Sequence, residues 1–254
     1  GYSDIGCFGG EIQTPHLDSL AAGGVRFSEF YNTGRCCPTR ASLLTGRYPH
    51  QAGIGWMTNE GRDRGQDFGY PAYTGELNRS SLTFAEVLGT AGYRTLMAGK
   101  WHVGTFSGMW PMDRGFERFY GLVRGASNHF KPHPDKLLME GRRPVAPGDD
   151  FYSSDSFTDA AISYVRESRE RSDDPFMLYL AFTAPHWPVH APDEDIERYR
   201  GKYDTGWEPV RAARHARMKE LGILKQDCEL SPLDVKAWEE TDPERRQVLA
   251  NRMA

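Results

Sequence analysis

Three times along this chain a helical pattern gives way to a strand-like run and then to a loop crowded with reactive side chains. The first begins at Thr14-Pro15, a helix cap followed by proline at the first helical position. It continues through Leu17, Leu20 and Ala21 to a stop at Gly23-Gly24. Val25, Phe27, Glu29 and Tyr31 then alternate with Arg26, Ser28 and Phe30, a period of two that predicts a strand. The second opens at Ser81-Leu82-Thr83, carries Phe84, Val87 and Leu88, closes at Gly89 and Gly92, and leads into a strand over 93–98. The third opens at Asp155-Ser156 with Phe157, Ala160, Ile162 and Val165. Its apolar run FMLYLAF, residues 176–182, is unbroken, as expected of a strand buried on both faces.

This order predicts an α/β fold, with a mostly parallel central sheet flanked by helices. Ligands gather at the carboxyl ends of the strands in such sheets. Three loops are therefore expected to converge: the one holding Cys36, the one holding Lys100 and His102, and the one holding His186. The stretches 53–79 and 105–150 are rich in Gly, Pro, Asp and Arg and read as irregular covers; from Asp193 onward the chain reads as helices with charged faces. The chain has no initiator Met, opens mid-pattern on GYSDIG and ends in the helical pattern RRQVLANRMA, so it reads as a piece of one domain, 1–254, truncated at both ends.

With 39% hydrophobic residues, 254 residues can bury a substantial core. A net charge of −4 without a basic block argues against a nucleic-acid partner. No apolar run is long enough to span a bilayer, and no signal peptide is visible. The four cysteines are too few and too scattered for a disulfide framework, and neighbours such as Cys36 and Cys37 rarely bridge each other. There is no C-x-x-C to suggest a zinc ribbon or a thioredoxin-type motif.

The most restrictive stretch is CCPTRASLLTGR, residues 36–47. Pro38 suits the first turn of a helix running to about Leu44, with Thr45-Gly46 as its stop. Cys36 then lies at the amino end, where unpaired N–H groups and the helix dipole favour an anion and lower a thiol pKa. Arg40, one turn on, can face the same place. The plain alternative makes both cysteines small buried apolar residues and Arg40 a surface cation. Lys100 and His102, two apart at the end of a strand, point to one side of it; otherwise they are a solvated cation and a hydrogen-bonded histidine. His186, between Pro185 and Trp187, is either a site residue or a histidine fixed in a rigid loop. His16, His50, His129, His133 and His215 read as surface or structural residues, with His50 the most open to another role because it directly follows the helix.

CCPTRASLLTGR resembles the signature of the type I sulfatases, which share the alkaline-phosphatase fold, and the bacterial arylsulfatases most of all. GKWHVG with DRGFERFYG, AFTAPHWPVHAP with the YRGKYDTGWEPVR stretch, and the opening GYSDIGCFGGEIQTPHLDSLAAGGVRF are similar to further blocks of that family. The resemblance implies that Cys36 is converted to formylglycine (3-oxoalanine) by a maturation enzyme, with Cys37 the variable position. Thr39 stands where serine is commoner. One hydroxyl of the hydrated aldehyde attacks sulfur to give an enzyme-bound sulfate ester, and the other, on losing its proton, expels sulfate. It implies that Lys100 holds sulfate and the formylglycine hydroxyl, that His102 takes the releasing proton, that His186 binds sulfate beside the leaving oxygen, and that Arg40 steadies the nucleophile.

It also implies one Ca2+ per site, ligated by the modified Cys36 and by acidic pairs expected outside these residues. The 254 residues alone are therefore expected to be inactive. The implied partner is a sulfated small molecule or carbohydrate, and the implied compartment is periplasmic or extracellular. Two alternatives stand beside this reading: a phosphate or phosphonate monoester hydrolase of the same superfamily, and an inactive fragment or non-catalytic binding domain.

Overall fold

The computed structural model describes residues 2–58 and 68–254. Gly1 of the opening motif and the middle of the irregular stretch read over 53–79 lie outside the described residues. The chain divides into two compact units, one built from 1–31 and 191–254, the other from 32–190.

The 32–190 unit holds α2 (Cys36–Thr45), α3 (Phe84–Thr90), β1 (Arg94–Gly99), β2 (Arg118–Leu122), β3 (Leu138–Glu140), β4 (Arg143–Pro144), α4 (Ser153–Arg171) and β5 (Phe176–Ala181). The five strands form one sheet in the order β4-β3-β2-β1-β5. β1 pairs in parallel with both β2 and β5, while β3 and β4 add an antiparallel edge. Alternation along β1 sends Met97 to one face and Ala98 to the other. On the first face Met97, Phe119 and Met139 pack with Cys37, Ala41 and Leu44 of α2 and with Trp101. On the second, Ala98, Leu122 and Leu138 pack with Phe157 and Ala161 of α4. The result is helix, sheet, helix, as the sequence order requires.

Local signals explain most boundaries. Thr83 and Glu86 form a reciprocal capping box that starts α3. Gly46, at φ 66°, ends α2 in the left-handed conformation. α4 starts two residues before the expected Asp155, with Tyr152 as its cap residue. Two expectations need correction. FMLYLAF is not buried on both faces: β5 lies at the edge of the sheet, paired only with β1, and Met177 to Leu180 are half-buried. The stretch 105–150 is not wholly irregular, since it supplies β2, β3 and β4.

The sheet is tightest where β1 and β2 end. A Cβ on Gly121 would lie 1.9 Å from the carbonyl oxygen of Gly99, and one on Gly99, at φ +113°, would lie 2.1 Å from that of Ala181. These glycines let three strands approach closely just before the chain turns out at Lys100. Gly121→Ala is expected to lower unfolding stability by at least about 2 kcal/mol. Gly148→Ala, with open space around it, should stay within about 0.5 kcal/mol of the parent. Urea midpoints compare the two.

The 1–31 and 191–254 unit holds α1 (Pro15–Ala22), α5 (Asp193–Glu197), α6 (Trp207–Glu220) and α7 (Pro243–Met253). Thr14 precedes Pro15 as expected, but its hydroxyl accepts from the Gly6 amide (2.9 Å) rather than capping the helix. Arg214 of α6 grips both carboxylate oxygens of Glu11 and also meets Asp4. Tyr203, Trp238 and Ala250 form the small core. The expected strand after α1 does not form. Val25, Phe27, Phe30 and Tyr31 are 65–85% exposed, and residues 25–31 pair with no strand among the described residues. A period of two states which face could be buried; without a neighbouring edge for its N–H and C=O groups the segment stays extended coil.

Candidate active site

Cys36 is the first residue of α2, with Arg35 extended before it as the cap residue. Arg35 makes no side-chain bond that caps this helix end, so the positive end of the backbone dipole faces whatever occupies the Cys36 position. Cys37, Ala41 and Leu44 form the buried face of the helix, which fixes its rotation and leaves Cys36 half-buried.

The segment Lys100 to His102 is held against that helix end by backbone bonds to three places. The Lys100 amide donates to Ala181 at the end of β5 (2.8 Å), the Trp101 amide to Leu122 at the end of β2 (2.9 Å), and the His102 amide to Val123 (3.0 Å). The Arg40 guanidinium donates to the Lys100 carbonyl (2.6 Å) and to the Tyr179 hydroxyl (3.3 Å), so its fork ties α2 to β1 and β5. His102 sits at φ 61°, a left-handed backbone conformation that costs an ordinary residue on the order of 1 kcal/mol or more. Strain of that kind persists where the surroundings over-determine a residue, and site residues are the usual case.

Lys100 and His102 are both 2% exposed. The Nε2 atom of His102 lies 3.4 Å from Cys37 Sγ, and Cys37 Sγ is also 3.3 Å from the Thr58 hydroxyl. The Cys36 thiol is brought down, first by the neighbouring Cys37 thiol; burial opposes this, and His102 and Lys100 add to it. Cys37 is pushed up, first as the donor to Cys36 and then by burial. Burial lowers Lys100 to about 8, with the Arg40 charge assisting and the two thiols opposing. Burial also lowers His102, against its hydrogen bond to Cys36. A histidine lowered in this way is neutral at pH 7 and can accept a proton.

His186 is placed differently. It follows β5 in a loop with cis peptides at Ala184-Pro185 and Trp187-Pro188, and β5 runs parallel to β1 with Ala181 opposite Gly99. The His186 loop and the Lys100 segment therefore leave the sheet at the same end. The ring itself is exposed, and its Nδ1 contacts the Trp187 carbonyl (2.5 Å); it makes no hydrogen bond to Cys36, Lys100 or His102. So Cys36, Arg40, Lys100 and His102 are brought together, and His186 shares only their edge of the sheet.

His129, read as surface or structural, and two residues passed over in the sequence, Met57 and Tyr179, belong to the surroundings. His129 is buried, bonds through one ring nitrogen to the Ser153 hydroxyl (3.0 Å) and through the other meets the His186 carbonyl (3.1 Å), so it fastens the His186 loop to the start of α4. Met57 Sδ lies 3.7 Å from Cys36 Sγ and 3.8 Å from Cys37 Sγ. Tyr179 anchors Arg40. No spacing rule ties any of these to the site. His50 is exposed and meets the Tyr73 ring edge-on.

Calcium, implied by the resemblance, takes about six to eight oxygen ligands. Among the described residues the donors close enough to hold an ion are Cys36, Cys37 and His102. Sulfur and imidazole do not suit a hard cation, so the unconverted set does not fit Ca2+; the ligand that the resemblance implies is an oxygen of converted Cys36, with the others outside these residues.

A family model described as Sulfatase matches residues 1–250. The arylsulfatase of Klebsiella aerogenes is 39% identical over 263 residues, covering 100% of this chain and 55% of that protein. Arylsulfatase A of Homo sapiens is 33% identical over 258 residues, covering 88% of this chain and 47% of its own. The crystal structure of Ps i-CgsB in complex with k-i-k-neocarrahexaose superposes with a TM-score of 0.69 at 28% identity, covering 88% of this chain and 51% of that one. The chain spans about half the length of the curated relatives it matches.

Proposed function

The chain belongs to the sulfatase family, and from that premise we propose that the whole protein hydrolyses sulfate monoesters through Cys36 in its formylglycine form. The observation that carries the reading is the placement of Cys36 on the first turn of α2 beside a buried lysine and a buried histidine. An ordinary catalytic thiol would need no lysine sunk to 2% exposure next to it. A sulfuryl group with negative oxygens is what a helix amino end and a buried ammonium are suited to bind.

In the proposed reaction one hydroxyl of the aldehyde hydrate bonds to sulfur as the ester oxygen leaves with a proton. The second hydroxyl then gives its proton to His102, the carbonyl re-forms, and the C–O bond to sulfate breaks. Water restores the hydrate, so the balance is one ester and one water to one alcohol and one sulfate. Lys100 holds the sulfuryl oxygens in both steps, and Arg40 fixes Lys100 through its carbonyl. His186 enters as donor to the leaving oxygen only if its exposed ring swings inward from the sheet end it shares with Lys100. No step is routed through calcium.

The substrate class proposed is an aryl or carbohydrate sulfate; the crystallised Ps i-CgsB complex, with a carbohydrate bound, supports the second. The partner proposed is a formylglycine-forming maturation enzyme, and an exported location is proposed with it. Mass spectrometry of the Cys36 peptide from a maturation-competent host is expected to read about 18 Da below cysteine, thiol having become carbonyl. The same protein should turn over an aryl sulfate faster than the matching aryl phosphate. An unmodified peptide, or a strong phosphate preference, would displace the proposal.

A further inference from the structure

We propose that the unconverted site is a binding site for a soft d10 cation, Zn2+ or Cu+, held by Cys36, Cys37 and His102 with Met57 as the fourth donor. One donor atom from each of the first three lies within 4.8 Å of the others. In a tetrahedral site with metal–sulfur bonds of about 2.3 Å, two sulfurs stand about 3.8 Å apart and a sulfur and an imidazole nitrogen about 3.5 Å. The observed separations are 3.7 Å and 3.8 Å from Met57 Sδ to the two thiols and 3.4 Å from Cys37 Sγ to His102 Nε2. Three of the six edges of the tetrahedron are thus at metal-bound length before any ion enters, and Cys36 lies within 4.8 Å of the other two first-named donors.

The donors are also the right kind. Thiolate and thioether select soft cations, and imidazole tolerates them. Three of the four ride on backbone that is already fixed: Cys36 and Cys37 on the first turn of α2, and His102 on a segment anchored to β2. Lys100 stands beside the thiols and its charge opposes a cation, but a divalent ion bound by two thiolates leaves no net charge among the four donors. Conversion of Cys36 to the aldehyde removes one thiolate and breaks the set. The site therefore belongs to the precursor. The binding chemistry stands whether or not the mature protein hydrolyses sulfate esters, so a failure of one reading leaves the other testable.

The test uses the full chain expressed without maturation, titrated with Co2+ as the spectroscopic probe and then with Zn2+ and Cu+ in competition. One ion per chain is expected, with thiolate-to-cobalt charge-transfer absorption and the visible bands of a tetrahedral centre, displaced by Zn2+. Cys36→Ser, Cys37→Ser and His102→Asn should each weaken binding by roughly 10-fold or more, whereas the double variant Cys7→Ser/Cys228→Ser should bind like the parent. Circular dichroism of each variant separates loss of the site from loss of the fold; should Cys37→Ser unfold, the half-buried Cys36 carries the test. Met57→Leu should weaken Cu+ more than Zn2+. Binding that survives in Cys36→Ser, binding lost in Cys7→Ser/Cys228→Ser, or no stoichiometric binding of any of the three ions overturns the proposal.

Discussion

Lys100→Met is expected to lower kcat for an aryl sulfate by about 10²–10³-fold in the converted whole protein, and at the same time to raise the stability of the unconverted chain. Both effects come from one feature, an ammonium buried to 2% exposure with its pKa lowered to about 8. In the unfolded chain the same group titrates at its ordinary value of 10.5. Below pH 8 both states carry the proton and the folded state bears the whole penalty, on the order of 3 kcal/mol. Between pH 8 and 10.5 the unfolded chain binds more protons than the folded one, so the penalty shrinks as pH rises and is gone above that window. Methionine keeps much of the apolar stem and drops the charge. The stability gain of the variant over the parent should therefore be full at pH 7 and vanish by about pH 10.5, read from urea midpoints across pH. A variant that loses turnover and also loses stability at pH 7 would mean that the charge is held for the fold rather than for a substrate.

The same lysine shows what was legible in the sequence. The period of two does not carry Lys100 and His102 to one side, because β1 ends at Gly99 and His102 sits at φ 61°; that a strand leads into Lys100 could be read from it, and the placement of Cys36 at a helix start from Pro38 and Gly46. These are local signals, and the structure keeps them because tertiary packing agrees with them: Cys37, Ala41 and Leu44 face the sheet and so leave Cys36 at the rim. Burial of Lys100 could not be read, because it depends on Arg40, Tyr179 and Ala181 arriving from two other elements. Met57 was missed, and the contact His129 makes with the His186 loop was not legible, for the same reason. A thioether in a loop and a histidine in a Gly-rich stretch carry no spacing that marks them, and their roles exist only through contacts with Cys36, Cys37 and the His186 loop.

The failures have a common cause as well. Residues 25–31 have the alternation of a strand, and 176–182 the apolar run of a fully buried one. Alternation fixes which side chains share a face, whereas strand formation and double burial need neighbours on the edges. β5 has one, β1; 25–31 has none among the described residues. Conversely β2, β3 and β4 form from a segment dense in glycine and charge because β1 offers β2 a parallel edge and β2 in turn offers an antiparallel one to β3. Those strands matter to the site: β2 supplies the carbonyl of Leu122 that holds Trp101 between Lys100 and His102.

Arg114→Met is expected to destabilise the 32–190 unit by about 3–5 kcal/mol, although Arg114 touches no site residue. Its guanidinium is 0% exposed. It donates to the carbonyls of Leu77 (3.1 Å) and Ser81 (2.7 Å) and in a two-point grip to the Glu86 carboxylate (3.1 and 3.3 Å). Its own carbonyl accepts from the Thr83 hydroxyl (2.8 Å), which also caps α3. One side chain thus closes the entry to α3, the helix that precedes β1 and with it Lys100. Methionine fills most of the volume but leaves two carbonyls without this donor and the Glu86 carboxylate with only the Thr83 amide, and an uncompensated buried acceptor is what makes such substitutions severe. Burial pushes the Glu86 pKa up, but Arg114 and the Thr83 amide outweigh it and hold the group below its ordinary 4.5. The stability this contributes is full above pH 4.5 and is lost as pH falls through the lower folded value, so the parent should weaken in acid by more than Arg114→Met does. The exposed pair Arg94–Glu117, at 2.5 Å, is the contrast. Arg94→Met should change stability by less than about 1 kcal/mol, because solvent already screens that pair. Equal effects of the two substitutions in urea unfolding would show that Arg114 does not organise the start of α3.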